Sequence, residues 1–578
     1  MSYRSNRVAT IVRTHFQWAA VAAASLWLAG CGGGGGGGSD PTPPAAASLA
    51  VSGTAATSAP LANAAVDSKC ATGSGSSNTA AADGSYTVTI PSGALPCVVR
   101  VTAGSTVLHS VATGSGATAR ADITPVTELV VARLAGTLPA TYYAGFDAAA
   151  AAALTPAAVQ SAQTSVVDTL KAGGVDLSAA GDVITSPLAA GGAYATGLAT
   201  LQTTLTTSGT SLATLTQATA QTSPAAPAAS LSTVASLPAD RLLAPAAASC
   251  ASLRSGPYRI VVNENGGTAP STEVVTINAT ALTVTNGAGQ VVSAVSTGTC
   301  AFSVPSSGNE LVVSRAGVIT ARVAGDNNTM VAAVLFPEQT HSVAELAGEW
   351  NTLEFDRTVD NGPIHLTSST RTFDSAGKLT AINHCDNVLT CVALTGSNLP
   401  AVTLSANPAG GFNFVNAGDP NVDRTFAYRA GGGELMWVMI ANAGHVSFST
   451  RKAPLVLPTL ARIQESWNVT ATAAYTAPTA ISVSRNTVAS IDATAGSYVR
   501  NAVQNFTTGA TRPETLVINN PREGYVHRLA ATVTRSDGLT SNVSEFFALP
   551  LRGMDMSVVA LPVANDLVLS VVSSTVVP

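Results

Sequence analysis

Between Tyr258 and Phe336 the chain is a succession of short apolar-rich runs separated by turn residues, and this rhythm restricts the fold more than any other feature. Eight runs follow one another: Tyr258–Asn263, Thr272–Asn278, Leu282–Thr285, Val291–Val295, Cys300–Val304, Glu310–Ser314, Val318–Val323 and Met330–Phe336. Asn286-Gly287, a dipeptide suited to a tight hairpin turn, sits in one of the connections. Short strands at even spacing predict an up-and-down barrel or a sandwich.

A chain of 578 residues is too long for one hydrophobic core, so about three to five domains are expected. The strand rhythm defines a first β module over 250–343, and two further modules are expected over 344–457 and 458–578. The second opens LAGEWNTLEFD, and its Gly348-Glu349-Trp350 resembles the G-x-W that opens lipocalin-like barrels. That resemblance implies a Trp plugging the closed end of the barrel, with an Arg near the last strand stacked on it. The strand HVSFST runs into Arg451, so a Trp350–Arg451 cation–π contact is expected. SGPYRIVV at Tyr258 and IQESWNVTATA at Trp467 are related openings, although the latter lacks the Gly. A generic antiparallel sandwich is the alternative for all three. In the last module Asp537-Gly538 marks a turn, and Asn565-Asp566 divides MSVVALPVANDLVLSVV into a hairpin.

Upstream, residues 47–123 also read as β, with Asp83-Gly84 as a turn and Tyr86, Val88 and Ile90 alternating with polar residues. The string SGTAATSAPLANAAV…AADGSYTVTI resembles the carboxypeptidase-regulatory-like family, which implies a small seven-stranded Ig-like sandwich without catalytic residues. The period then changes. Thr124-Pro125 and Thr155-Pro156 are helix starts, and Gly136 and Gly173-Gly174 are stops. A third helix is expected to carry Tyr194, Leu198, Leu201, Leu205, Leu212 and Leu215 on one face, giving a helical segment over 124–220. Residues 221–249, rich in Pro, Ala and Ser, read as a semi-extended linker. The expected fold class is therefore mainly β and multi-domain: a small sandwich, a short helical segment, then tandem antiparallel modules.

The N-terminus supplies an address. Arg4, Arg7 and Arg13 precede the apolar run Trp18 to Leu28, as in a signal peptide. Leu28-Ala29-Gly30-Cys31 resembles the bacterial lipobox. The resemblance implies that residues 1–31 are a lipoprotein signal ending in the lipidation site, with Cys31 becoming an acylated N-terminus. Two or more acyl chains give stable membrane attachment, each buried CH₂ contributing about 0.8 kcal/mol. Gly32 stands where an Asp would resemble an inner-membrane retention signal, so the outer membrane is the expected location. Residues 32–46, with glycine from 32 to 38, read as a flexible tether. Cys70, Cys97, Cys250, Cys300, Cys385 and Cys391 remain, and chain order suggests 70–97, 250–300 and 385–391 among the possible pairings. An oxidising periplasm or cell surface sustains such bonds, and closing these loops contributes roughly 3.6, 4.1 and 2.4 kcal/mol in the chain-entropy model.

Only 11% of residues are charged and the net charge is −5, without any run of like charges, so a nucleic-acid partner is not expected. Mean hydropathy is +0.30, yet past Cys31 no apolar run approaches the ~18 residues of a spanning helix. Aromatic residues, at 5%, are too few for the girdles of a membrane barrel. No G-x-S-x-G, P-loop, HExxH or paired C-x-x-C occurs. His384, Cys385 and Asp386 suggest a metal or thiol site, but a disulfide-closed hairpin tip explains them better. Glu349, Glu354 and Asp356 suggest an acid/base pair, and solvent-facing strand carboxylates are the simpler explanation. Arg522, His527 and Arg528 in PREGYVHR suggest an anion site, against a plain hairpin loop. The expected function is that of a non-catalytic lipoprotein, attached to the membrane through its lipid, whose β modules bind a glycan, an apolar small molecule or a protein. No cofactor is expected. A structural or assembly role and an extracytoplasmic hydrolase are the alternatives.

Overall fold

The computed structural model describes residues 48–79, 82–222, 236–262, 271–325, 330–357, 364–386, 388–417, 422–441, 445–471, 481–562 and 566–576. The lipobox with Cys31, the glycine tether and part of the Pro/Ala-rich linker lie outside them. The chain is mainly β, with several antiparallel, barrel-like sheets.

The first and second β modules share one plan. In the first, Gly256–Val262 lies between Ser271–Asn278 and Met330–Pro337, so the opening strand pairs with the closing one. The nine-stranded sheet ends at Val291–Ser293 and Val295–Gly298. The single run expected at Val291–Val295 is thus two strands. Ala294 separates them, donating its N–H to the Leu282 carbonyl, and they leave toward opposite ends of the sheet. In the second module Gly348–Arg357 lies between Ile364–Phe373 and His445–Arg451, and the ends are Cys391–Leu394 and Val402–Ala406. Both sheets curl without closing.

The third module closes. Arg462–Ala471 pairs with Ser482–Asp492 on one side and with Asp566–Val576 on the other. Between them run Ser497–Val503, Thr511–Ile518, Val526–Arg528, Phe546–Leu551 and Met556–Leu561, which complete an eight-stranded barrel. A two-stranded hairpin, Ala531–Thr534 with Thr540–Val543, projects between the fifth and sixth strands.

Upstream, seven strands form a three-stranded and a four-stranded sheet over 49–120. Their core continues into the helices through Val126, Leu129 and Val130 of Pro125–Ala135. That helix starts and stops where its sequence dictates. The Thr127 N–H donates to the Thr124 hydroxyl at 3.2 Å and the Thr124 N–H to the Thr127 hydroxyl at 2.8 Å, and Gly136 leaves the helix at φ 63°. The expected third helix is two: Ala193–Ser208 ends at Gly209, with φ 65°, and Ser211 caps Leu212–Gln221. The described part of the linker is packed as well. Leu237 and Leu242 are buried in the helical core, and Arg241 lies 5.2 Å from the ring centre of Tyr258. Among the described residues no helix is long and apolar enough to cross a membrane.

One apolar cluster joins the outer faces of all three β modules. It contains Val334 and Phe336 from the first, Leu353, Phe355 and Phe448 from the second, and Phe547, Leu549, Leu569 and Val571 from the third. Trp467 packs against this cluster and so faces away from its own barrel, unlike Trp350, which is buried inside the second module. The related openings seen in the sequence therefore diverge at Trp467.

Candidate functional site

Strand alternation sets what each barrel contains. In the second module most of the inward residues are large and apolar: Trp350, Phe373, Phe412, Phe414 and Trp437 pack together. The first is filled in the same way by Tyr258, Ile277, Phe302 and Leu335. In the third the apolar face points outward into the shared cluster and the other face points in. Phe547 and Leu549 face out, while Phe546, Ala548 and Pro550 line the interior. On the opening strand the inward set is Arg462, Gln464, Ser466 and Asn468. These polar residues leave a cavity of about 1000 Å³.

The wall of this cavity is cationic. Six arginines line it (Arg315, Arg462, Arg500, Arg512, Arg528 and Arg552) against three carboxylates, Glu434, Glu514 and Asp555. Arg315 pairs with Asp555, through Nη2 at 3.2 Å, and Arg552 pairs with Glu434 at 2.9 Å. Deeper in, Glu514 is 1% exposed at its side chain and holds three guanidiniums. Arg500 reaches its Oε2 through Nε at 2.9 Å and Nη2 at 2.8 Å. Arg512 and Arg528 reach Oε1 at 2.6 and 3.1 Å. Register explains the cluster: Arg500 lies directly across from Glu514, and Arg528 is paired with Leu516, two residues along the same strand. Burial works against ionisation of Glu514, but Arg500 and Arg528 outweigh it and hold its carboxyl at about 2. Burial, together with Arg500 and Arg512, lowers the pKa of Arg528, with Glu514 opposing the shift. The Arg528 guanidinium also lies 4.2 Å from the ring centre of Phe546.

One end of the cavity is lined by the segment from Pro454 to Thr459, which leads into the barrel. Asn519 holds that segment, accepting from the Leu455 N–H at 2.7 Å and donating to its carbonyl at 3.0 Å. Leu455 packs on an apolar patch of the interior formed by Leu516, Val526, Phe546 and Ala548.

The residues singled out in the sequence fall elsewhere, with one exception. Cys70–Cys97, Cys250–Cys300 and Cys385–Cys391 are disulfides. Cys70 lies directly across from Cys97, and Cys385 across from Cys391, on paired strands. Arg451 lies 4.0 Å from the ring centre of Trp350 and donates to the carbonyls of Ala347 and Glu345. Gly348 makes room for it, since a Cβ there would stand 2.7 Å from Arg451 Nη1. Gly256 does the same for Arg241 above Tyr258, at 2.5 Å. His384 meets Asp386 at 3.1 Å on the exposed tip of the disulfide hairpin. Among the described residues no group of three His, Cys, Asp or Glu could hold a metal.

Glu349 is a surface residue paired with Lys452, and the Asp356 side chain lies outside the described residues. Glu354 corrects the expectation of a solvent-facing carboxylate. It is 2% exposed and points inward, accepting from Ser369 at 2.7 Å and from Arg371 at 2.8 and 2.9 Å, with His445 at 3.3 Å. The polar period of its strand is satisfied by an internal ion pair instead of water. PREGYVHR is divided between two environments. Arg522 reaches out to the second module, donating to Cys391 Sγ at 2.9 Å and to Ser368 at 2.7 Å. His527 bonds Asn520 and Glu545, each at 2.8 Å, and Arg528 alone enters the cavity cluster. Arg500, Arg512 and Glu514 were not indicated by any motif; their signal is an Arg and a Glu on inward positions of adjacent strands.

No family model and no curated protein matches the chain. Among solved structures, a protein of unknown function from the DUF3598 family of Nostoc punctiforme aligns with 41% of this chain and 100% of its own length. The identity is 10% and the TM-score 0.15, too loose a superposition to support a statement about fold or function.

Proposed function

We propose that the protein is a lipid-anchored binding protein of the outer membrane, non-catalytic, whose third β module holds a small-molecule ligand inside its barrel. One observation carries the binding part of this reading: of three β modules, two have interiors filled mainly with aromatic and aliphatic side chains, and the third holds a partly open cavity of about 1000 Å³ whose mouth is lined by Arg315 and Glu434 of the other two. Ligand sites are concave and commonly of about 300–1,000 Å³, with a few placed polar groups on an otherwise apolar wall. The filled first and second modules serve as the frame. The anchor rests on Leu28-Ala29-Gly30-Cys31, and three disulfides suit an oxidising compartment.

The test of binding uses the neutral fluorophore N-phenyl-1-naphthylamine on the full chain. Saturable enhancement is expected, and Ala502→Trp with Ala548→Trp, two substitutions on the cavity wall, weakens it. Absence of saturable enhancement, or a doubly substituted protein that binds as before, refutes the reading. The anchor is tested separately by metabolic labelling with a fatty-acid analogue: label is expected on the unmodified chain and not on Cys31→Ser, and label retained by the variant contradicts it.

A further inference from the structure

We infer that the third barrel takes an amphipathic organic anion, a molecule with one small oxyanion head and an apolar body. This inference rests on the reading of that barrel as the ligand-holding module and adds the chemical class.

Charge is the first argument. Arg315 and Arg552 are matched by Asp555 and Glu434 at the rim, so the imbalance lies further in. There Arg500, Arg512 and Arg528 line the cavity with Glu514 as the carboxylate shared among them. The chain as a whole carries −5, so a cationic interior does not follow from its composition. Glu514 accepts from three guanidiniums at once and has little capacity left for a ligand's donor. Each guanidinium carries about five N–H donors; the bonds to Glu514 use one or two of each, and Arg512 gives another to the Asn542 carbonyl at 3.0 Å. Arg512 Nε is buried without a partner. Arg528 is further fixed by its Nε bond to the Ser544 carbonyl at 2.9 Å and by the face of Phe546. Planar donors fixed in this way match the geometry of carboxylate, sulfate or phosphate oxygens. Glu514 braces the arginines and does not itself hold the ligand.

The second argument is what adjoins the arginines. Along the same strands, on the side toward Leu455, the wall is formed by Leu516, Ile518, Val526 and Ala548. A head bound at Arg500, Arg512 and Arg528 leaves its body on this apolar surface, beneath the segment from Pro454 to Thr459. A neutral sugar has no charge to offset the cations, and a cationic ligand is repelled by them.

The experiment measures displacement of N-phenyl-1-naphthylamine from the unmodified full chain by dodecanoate, dodecyl phosphate, dodecanol, dodecylammonium and inorganic phosphate, below micellar concentrations. Charge-assisted hydrogen bonds predict that dodecanoate or dodecyl phosphate binds about ten- to a hundredfold more tightly than dodecanol, with dodecylammonium weakest. Which of the two anions binds tighter identifies the head. Arg528→Gln is expected to erase most of the preference for anion over alcohol, and a preference kept in full by the variant counts against the anion site. Should that variant not fold, the ligand series on the unmodified chain decides alone. Equal binding of dodecanoate, dodecyl phosphate and dodecanol, or tighter binding of the amine, overturns the anionic class and spares the hollow-barrel reading. Displacement by inorganic phosphate as effective as by dodecyl phosphate overturns the amphipathic part. Failure of the fluorophore and of every dodecyl compound to bind overturns the hollow-barrel reading itself.

Discussion

Replacing Glu514 by Gln keeps the shape of the side chain and removes the one negative charge among Arg500, Arg512 and Arg528. The native carboxyl is held at about 2, from an ordinary value of 4.5. A carboxyl depressed on folding stabilises the native state fully above its unfolded value, and the contribution disappears as pH falls through the folded value. The shift corresponds to about 2–3 kcal/mol at neutral pH once solvent screening of the partly exposed arginines is allowed for. Glu514→Gln should therefore destabilise the barrel by that amount at neutral pH. The gap to the unmodified protein should narrow from about pH 5 downward and close near about pH 2. Hydrogen exchange read by mass spectrometry on peptides covering Thr511–Ile518 isolates this barrel from the other modules, and the ratio of variant to parent at each pH cancels the intrinsic pH dependence of exchange. A gap of constant size from neutral to acid, or no gap at all, would show that Glu514 is not the counter-charge on which the three arginines depend.

In the second module, Arg451→Leu removes the contact with Trp350 and the bonds to the carbonyls of Ala347 and Glu345. A loss of about 2–3 kcal/mol is expected, read by thermal unfolding, and an unchanged transition would count against a stabilising role for Arg451. Gly348→Ala puts a Cβ 2.7 Å from Arg451 Nη1 at a backbone φ of 116°, which should cost about 1–3 kcal/mol. In the background of Arg451→Leu the same change should cost less, because the clash is gone while the backbone strain remains; equal costs in both backgrounds would exclude the steric part.

Much of the fold is legible because strands announce themselves locally. The runs of the first module carry their turn residues with them, and Thr124 and Gly136 state the bounds of their helix. Closure is less legible, because it depends on partners far apart in sequence. Arg462–Ala471 pairs with Asp566–Val576 about a hundred residues later, and nothing local marks that pairing. The cavity is harder still. FFALPL, from Phe546 to Leu551, is apolar on both faces, so alternation does not say which face turns inward. On Arg462–Ala471 the alternation is clear, with Arg462, Gln464, Ser466 and Asn468 on one side, but a polar strand face ordinarily means solvent. Glu354 reverses the same rule, with its polar period answered by Arg371 inside the module. In both places a barrel's outer face was buried against its neighbours, which no single strand reveals.

That burial is what permits a hollow barrel in the first place. A small up-and-down barrel ordinarily fills its interior with the apolar residues that hold it together. The third module spends most of those residues on its outside: Phe547, Leu549, Val558, Leu569 and Val571 all lie in the cluster shared with the first and second modules. Each such side chain contributes about 1.5–3 kcal/mol when fully buried, and here most of that stabilisation comes from neighbouring modules, with only a small apolar patch inside the barrel. The interior is thereby released from the task of folding and can carry arginines and empty space instead. The first and second modules are solid for the complementary reason: they form the surface on which the third rests, and Arg522, seated against the Cys385–Cys391 disulfide of the second, fixes the third to it. The tandem arrangement of three β modules around one shared apolar cluster is therefore a physical condition for the cavity, since the same third module standing alone would expose its larger apolar face to water and keep within it only a small apolar patch beside arginines and a void.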